Sequence, residues 1–300
     1  MFFLVIFQMN DIFQKQNTEL FIERLRAQGR VYDKAKVYSL WIVLVSIVVV
    51  LLINVMKIAF PDFEQLKSIS VAYGVFSTVI CAVLEWHRKK LKNFAARIQQ
   101  LIDCELFDIE WWRNWGNKPT LDEVQEAAEG EEPDRYIDWY DVAINNVNKQ
   151  IATLICFRIN IRYDNTLRKM YIAVCHWVFW AVMVVFAAVC LWQNFTILDI
   201  LCYGIAPLLP MVMMYVRTWM AEISDTQNLD NIRKEVDSMC HRIKAGEELS
   251  KEEYQLIQDA IYSHRKNSFS IPSFYYERHR NKNEESTHHF AESLVREFTT

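Results

Sequence analysis

The sequence predicts an all-α membrane protein whose four transmembrane helices form two hairpins, and three observations lead to this prediction. Four segments contain no charged residue: 37–56, 68–84, 170–198 and 200–216. About 20 apolar residues cross a hydrocarbon core of ~30 Å, and shorter spans suffice if flanking side chains extend to the interface. A charged block of roughly eighty residues separates the two pairs, and no stretch shows strand-like alternation. The resulting pattern is a 2+2 arrangement of spans around helical regions.

The predicted elements follow one another without long linkers. They are an amphipathic N-terminal helix at 1–36, spans at 37–57 and 68–86, a helical block at 87–169, spans at 170–192 and 197–217, and C-terminal helices and a tail at 218–300. A soluble bundle of buried helices is the alternative. The run from Leu40 to Ile53 argues against it, because its only polar residues are Trp41 and Ser46 and no face is left for water.

Helix boundaries in the first charged block follow from caps and breakers. The second span is predicted to continue as one helix through Leu91, Phe94 and Ile98, and to end at Gly116 and Pro119. A capping box of Thr120 and Glu123 predicts a short helix that reaches Ala128.

The later boundaries are predicted in the same way. A helix is expected from Trp139 through Arg168 into the third span. Ser224 and Gln227 predict a new helix after the fourth span, with Gly246 as its end. A second capping box joins Ser250 and Glu253, and Pro272 interrupts the pattern. The polar remainder predicts at best a short terminal helix.

Basic residues set the expected orientation. They cluster before the first span, after the second and before the third, whereas the hairpin loops carry only Lys57 and Lys67. The positive-inside rule therefore places both termini and the middle block in the cytoplasm. The apolar start, MFFLVIF, lacks the basic region and cleavage site of a signal peptide. Seven scattered cysteines without CxxC pairing predict free thiols.

Several function classes are disfavoured by what the spans and loops contain. Coupled transporters need ionisable groups inside the membrane, and these spans offer only His176, which suits either a pH sensor or a hydrogen bond to a neighbouring helix. No HExxH, GxSxG or glycine-rich phosphate loop is present, so we expect no enzyme, cofactor or metal site. Between Asp103 and Asp141, 13 acidic residues outnumber three basic ones, which opposes binding of nucleic-acid polymers.

The fourth span contains the residues best suited to a pore wall or gate. Gly204, Pro207 and Pro210 lie within about two turns, and each proline removes a backbone hydrogen bond. Broken helices at membrane depth are stable against protein or a water-filled cavity. A gate and a kinked packing helix both fit this pattern.

Aromatic and basic residues of the middle block form a candidate ligand site. Trp139 and Tyr140, with Arg135 and Tyr136 beside them, precede a helix that carries Arg158 and Arg168. Aromatic faces and guanidinium groups suit the bases and phosphates of a nucleotide. The alternative is that the arginines are positive-inside charges paired with local acids such as Asp164.

The same region carries a family resemblance. The stretch DWYDVAINNVNKQIATLICFRINIRYDNTLRKMY resembles the hallmark segment of the SMODS-associated four-transmembrane effectors. The matching residues are Trp139, Tyr140, Cys156, Arg158, Asn160, Asp164, Leu167, Arg168 and Tyr171. Phe157 and Tyr163 depart from the glutamine and tryptophan of that pattern.

This resemblance implies a pore-forming or membrane-disrupting effector of bacterial anti-phage defence in the inner membrane. A partner nucleotidyltransferase would make a cyclic nucleotide signal, and homo-oligomers would permeabilise the lipid bilayer. The candidate ligand or signal-coupling residues are then Trp139, Tyr140, Arg158, Asn160, Asp164 and Arg168. A non-killing membrane scaffold that recruits a partner protein, or a small constitutive channel, is the alternative function.

Overall fold

The computed structural model describes residues 10–49, 65–130, 136–192 and 206–299, together with residues 52, 53, 55, 56, 60, 63, 196 and 197. Helix accounts for 86% of the structure, and the described residues contain no strand. The fold class is therefore all-α, as the sequence predicts. The predictions for the apolar start, Arg135 and Gly204 fall outside the described residues.

Eight α-helices are described. They are α1 (Ile12–Gln16), α2 (Glu19–Val43), α3 (Gln65–Phe107), α4 (Leu121–Ala128), α5 (Lys149–Trp192), α6 (Ala206–Lys244), α7 (Lys251–Asn267) and α8 (Ser273–Thr299). A π-helical turn, Leu44–Val48, extends α2, and short 3₁₀ helices occupy Arg113–Trp115 and Val142–Asn146. Each of α3 and α5 joins a predicted span to a charged region in one continuous helix.

Three of the helix-end signals in the sequence are confirmed. Thr120 and Ser250 each accept a hydrogen bond from the backbone N–H three residues later, and the glutamate there caps in return. Gly246 has a φ of +85°, and the N–H of Glu247 reaches the carbonyl of Arg242 at 3.0 Å. This left-handed residue and its hydrogen bond end α6.

Two predicted boundaries near the middle block are wrong. Helix α3 ends at Phe107 rather than near Gly116, because Asp108 takes a φ of 56° and the N–H of Ile109 donates to the carbonyl of Cys104 at 2.8 Å. The helix predicted from Trp139 starts at Lys149, after a 3₁₀ helix in which the N–H of Ala143 donates to the side chain of Asp141.

Two predictions for the C-terminal region are also wrong. Helix α6 passes Ser224 without interruption. Pro272 does separate α7 from α8, but α8 has 27 residues instead of a short helix. Its length follows from packing, since Ala291 and Val295 are buried in the main core.

One continuous core joins α2 to α8, and Leu154, Ile155 and Phe157 of α5 are among its most buried residues, at most 1% exposed. The predicted spans contrast with this core because they expose large apolar side chains such as Phe76 and Val184. Exposed apolar surface of this extent is typical of membrane contact. Among the described residues, α5 is the one helix that is long and apolar enough to cross a membrane.

The structure agrees with a hydrogen-bonding role for His176 and with free thiols at the described cysteines. The ring of His176 contacts the Tyr215 hydroxyl on α6, which fits a hydrogen bond between neighbouring helices. The six cysteines among the described residues are free thiols, and Cys202 lies outside that set.

Candidate functional site

A cavity of about 280 Å³ lies where the helices of the core converge next to the predicted spans. Each of the four helices that contain or flank a predicted span lines it: Lys36 comes from α2, Lys92 from α3, Arg168 from α5 and Leu229 from α6. Residues of α7, α8 and the segments 139–141 and 268–271 complete the wall. A ligand in this cavity would therefore touch all four of those helices at once.

Five of the six predicted site residues line this cavity: Trp139, Tyr140, Asn160, Asp164 and Arg168. Tyr140 is 3% exposed, and its hydroxyl accepts a hydrogen bond from Asn160 Nδ2 at 2.8 Å. Burial raises the pKa of Tyr140 well above its ordinary value, so its hydroxyl stays protonated. The fold therefore brings five of the six predicted residues together around one cavity.

Arg168 is the centre of an ionic cluster between α5 and α6. Its Nε lies 3.0 Å from Asp164 Oδ2, and its Nη1 lies 2.9 Å from Asp225 Oδ2 and 3.4 Å from Glu222 Oε1. Nη1 also donates to the carbonyl of Phe269 at 3.0 Å. Three carboxylates around one guanidinium neutralise it fully, so Arg168 has little charge left for an anionic ligand.

The carboxylates of this cluster have unequal proton affinities. Burial would raise the pKa of Asp164, but Arg168 and the hydrogen bond to His264 hold it below its ordinary value. Burial raises the pKa of Glu222 to about 7. The positive charge of Arg168 lowers this pKa, and the negative charge of Asp225 offsets part of that lowering. Glu222 Oε2 is buried and has no hydrogen-bond partner among the described residues. Glu222 is therefore the carboxylate of this cluster that gains or loses a proton near neutral pH.

Lys92 is one of the cavity residues that the sequence did not single out. Its side chain is buried, at 6% exposure, and its Nζ lies 3.5 Å from Ser268 Oγ. Burial lowers the pKa of Lys92 to about 7, and the nearby charges of Arg168 and Arg88 act in the same direction. In the sequence Lys92 belongs to a basic run that the positive-inside rule already explains, so no signal distinguished it.

The other basic side chains of the cavity are paired with carboxylates. Lys36 Nζ lies 3.0 Å from Asp33 Oδ1, and Arg265 bonds Asp103. For Lys92, no carboxylate of the described residues lies within 4 Å of the ammonium. The aromatic side chains of the wall are Tyr32, Trp139, Tyr140, Tyr163, Phe269 and Tyr276. The cavity thus combines aromatic walls with one cation that lacks an acidic partner.

Arg158, the sixth predicted residue, does not line the cavity. Its Nε lies 2.7 Å from Asp237 Oδ1 on α6, and its guanidinium lies 5.8 Å from the centre of the Phe290 ring on α8. It joins α5 to two neighbouring helices instead. Of the gate residues, Pro207 and Pro210 fall in the first two turns of α6 as described, and Gly204 lies outside the described residues.

This arrangement can bind a small ligand. The described residues contain no cluster of His, Cys, Asp or Glu that could hold a metal ion. A mainly apolar cavity with aromatic walls and a buried ammonium suits a small aromatic anion.

Comparison with known protein families gives a match over most of the chain. A family model described as the SMODS-associating 4TM effector domain matches residues 10–294. No curated protein and no solved structure matches the chain.

Proposed function

We propose that this chain, which belongs to the SMODS-associating 4TM effector family, permeabilises the bacterial inner membrane when a cyclic nucleotide binds its cavity. The family description makes it a membrane effector associated with SMODS signalling, and the signal would come from a partner nucleotidyltransferase. One observation supports the proposal that a ligand acts on the spans: the cavity is lined by all four helices that contain or flank a predicted span.

Ligand binding would act on the spans through helix continuity. Helices α3 and α5 run unbroken from the cavity into the predicted second and third spans. A straight helix transmits a tilt or rotation because bending it disrupts backbone hydrogen bonds. A ligand held between Trp139 and α5 would therefore move the spans relative to one another.

The membrane part of the proposal follows the sequence pattern. Two hairpins with both termini in the cytoplasm would put the cavity on the cytoplasmic side, where the signal is made. Four spans with few polar residues make a poor pore alone, so homo-oligomers would form the lesion. Gly204, Pro207 and Pro210 are the proposed gate in the fourth span.

Dye release from liposomes containing the purified chain tests this function. Cyclic di-AMP, cyclic di-GMP and cyclic tri-AMP are added in turn, and we expect release with one of them. Trp139→Ala should abolish the response because the ring lines the cavity, whereas Ile137→Ala, an exposed neighbour outside it, should respond normally. Release without any nucleotide would indicate a constitutive channel, and no release from correctly inserted protein would indicate a scaffold.

A further inference from the structure

We propose that Lys92 binds the anionic group of the ligand, and that this group is a phosphodiester. The proposal rests on the proposed function, because it concerns the same cavity, and it names the residue that recognises the charge of the ligand. It differs from the expectation based on sequence, which assigned that role to Arg158 and Arg168.

The arginines are poorly placed to bind an anion. Arg158 lies outside the cavity wall and is paired with Asp237. Arg168 lines the wall, but Asp164, Glu222 and Asp225 already surround it. An anion at Arg168 would meet three carboxylates at close range, which repel it.

Lys92 differs because no carboxylate of the described residues lies within 4 Å of its ammonium, and Asp164 and Asp225 act on its charge only from farther away. Its ammonium is buried, and its one described polar contact is the Ser268 hydroxyl at 3.5 Å. Burying an ammonium without a directly paired opposite charge is costly, and an anion in the cavity would reduce that cost. An ammonium with an adjacent hydroxyl donor is a suitable site for a phosphate oxygen.

The rest of the wall favours a nucleotide as the source of the phosphodiester. Aromatic rings of Tyr32, Trp139 and Phe269 line the cavity and offer faces on which a base can stack. Gln28 is 7% exposed, and its Oε1 has no hydrogen-bond partner among the described residues. That oxygen would accept a hydrogen bond from the amino group of a base.

An anionic phospholipid shares the same phosphodiester chemistry. Lys92 lies six residues beyond the predicted end of the second span, so a lipid headgroup could approach it. Lipid tails would gain nothing from Gln28 or from stacked rings, and the test below separates the two sources.

Proton uptake gives this site a measurable signature. A bound phosphodiester would raise the pKa of Lys92 from about 7 towards the ordinary value for lysine, ~10.4. Affinity should then be constant below about pH 7 and fall by up to tenfold per pH unit above it. The other charged groups and histidines that line the cavity or act on the charge of Lys92 are Lys36 on α2, Arg88 on α3, Asp141 in the segment 139–141, Asp164 and Arg168 on α5, Asp225 on α6, His264 and Arg265 on α7, and Glu284 and His288 on α8. Glu222, whose pKa is raised to about 7, contacts Arg168.

Lys92→Arg isolates the contribution of Lys92 from those groups, because an arginine stays charged throughout this range. Calorimetry on the full chain in nanodiscs of zwitterionic lipid would measure binding of cyclic di-AMP, cyclic di-GMP and cyclic tri-AMP at about pH 6.5 and about pH 8.5. We expect the wild type to lose roughly tenfold or more in affinity between the two, and Lys92→Arg to lose much less.

Lys92→Met should weaken binding at least about tenfold at the lower pH without loss of folding, since methionine is apolar and of similar length. Lys90→Met, an exposed neighbour on the same helix, is the matched control and should bind as the wild type does. Wild-type affinity in Lys92→Met, with binding lost in Trp139→Ala, would overturn the role of Lys92 and leave the proposed function intact.

The lipid arm uses phosphatidylglycerol nanodiscs without nucleotide. If Lys92 is required for binding of that lipid and no nucleotide binds, Lys92 still holds a phosphodiester but the proposed cyclic nucleotide signal is wrong. If neither ligand binds the wild-type chain, both proposals fail.

Discussion

Arg168 Nη1 lies 2.9 Å from Asp225 Oδ2, so a side chain of α5 is joined directly to one of α6. Arg168 immediately precedes the predicted third span, and Asp225 follows the predicted fourth span by about two turns. The pair therefore links two spans at the wall of the cavity, where ligand binding could change their separation.

Arg168→Met should destabilise the chain strongly, because it leaves Asp164, Glu222 and Asp225 without their shared cation. Breaking a buried ion pair by removing one partner costs about 3–5 kcal/mol. The apparent midpoint of thermal unfolding in detergent should fall, and it should fall more at about pH 8 than at about pH 5, where protonation relieves the repulsion. Arg162→Met, at an exposed position on the same helix, is the control. Equal midpoints for the two variants would show that the cluster contributes little.

Glu222→Gln should make stability less dependent on pH. Because the folded-state pKa of Glu222 is raised to about 7, the folded chain binds the extra proton and is most stable below the unfolded pKa. That contribution is lost as the pH rises from about 4.5 to about 7, and a shift of this size is worth up to about 3 kcal/mol.

The neutral glutamine carries no such dependence. The unfolding midpoint of Glu222→Gln should match that of the wild type at about pH 5 and exceed it at about pH 8. A midpoint lower than that of the wild type at the higher pH would mean that the ionised carboxylate is needed by Arg168.

The sequence predicted the local features of this fold more successfully than the tertiary ones. Capping boxes at Thr120 and Ser250 and the stop at Gly246 depend on residues within one turn, and all three are confirmed. The end of α3 at Phe107 was not predicted, because the residue that follows it, Asp108, takes the left-handed conformation although it is not a glycine. The length of α8 was missed because its few apolar residues are buried by contacts with distant segments.

The candidate site shows the same division. Trp139 and Tyr140 were predicted from a cluster of aromatic and basic residues, and Asn160 from the family resemblance; all three line the cavity. Lys92 could not be found, since its burial depends on segment 268–271, more than 170 residues away. Arg158 was assigned to the site by residue type and by the family resemblance, and it lies outside the cavity wall because its side chain pairs with Asp237 on α6.

Gly29→Ala should destabilise the core, because a Cβ at Gly29 would overlap the buried hydroxyl of Tyr136 and lie 3.1 Å from its Cζ. Overpacking of this kind costs about 1–3 kcal/mol, more than the gain of up to about 1 kcal/mol from the helix propensity of alanine. Gly74→Ala is the matched control, since no atom lies within 4 Å of its Cβ position. Thermal unfolding should show a lower midpoint for the first variant and an unchanged or higher one for the second. The opposite order would mean that Tyr136 moves freely.

Arg158→Ala should separate ligand binding from the membrane response. Arg158 joins α5 to Asp237 on α6 and lies outside the cavity, so nucleotide affinity should stay within about twofold of the wild type. Dye release at saturating nucleotide should fall, because a movement of α5 is then no longer transmitted to α6 through the ion pair with Asp237. Arg233→Ala removes a comparable but exposed arginine, paired with Asp230 within α6, and should leave release unchanged. Release at wild-type potency from Arg158→Ala would show that Arg158 does not couple α5 to α6. Loss of nucleotide binding would show that Arg158 belongs to the ligand site.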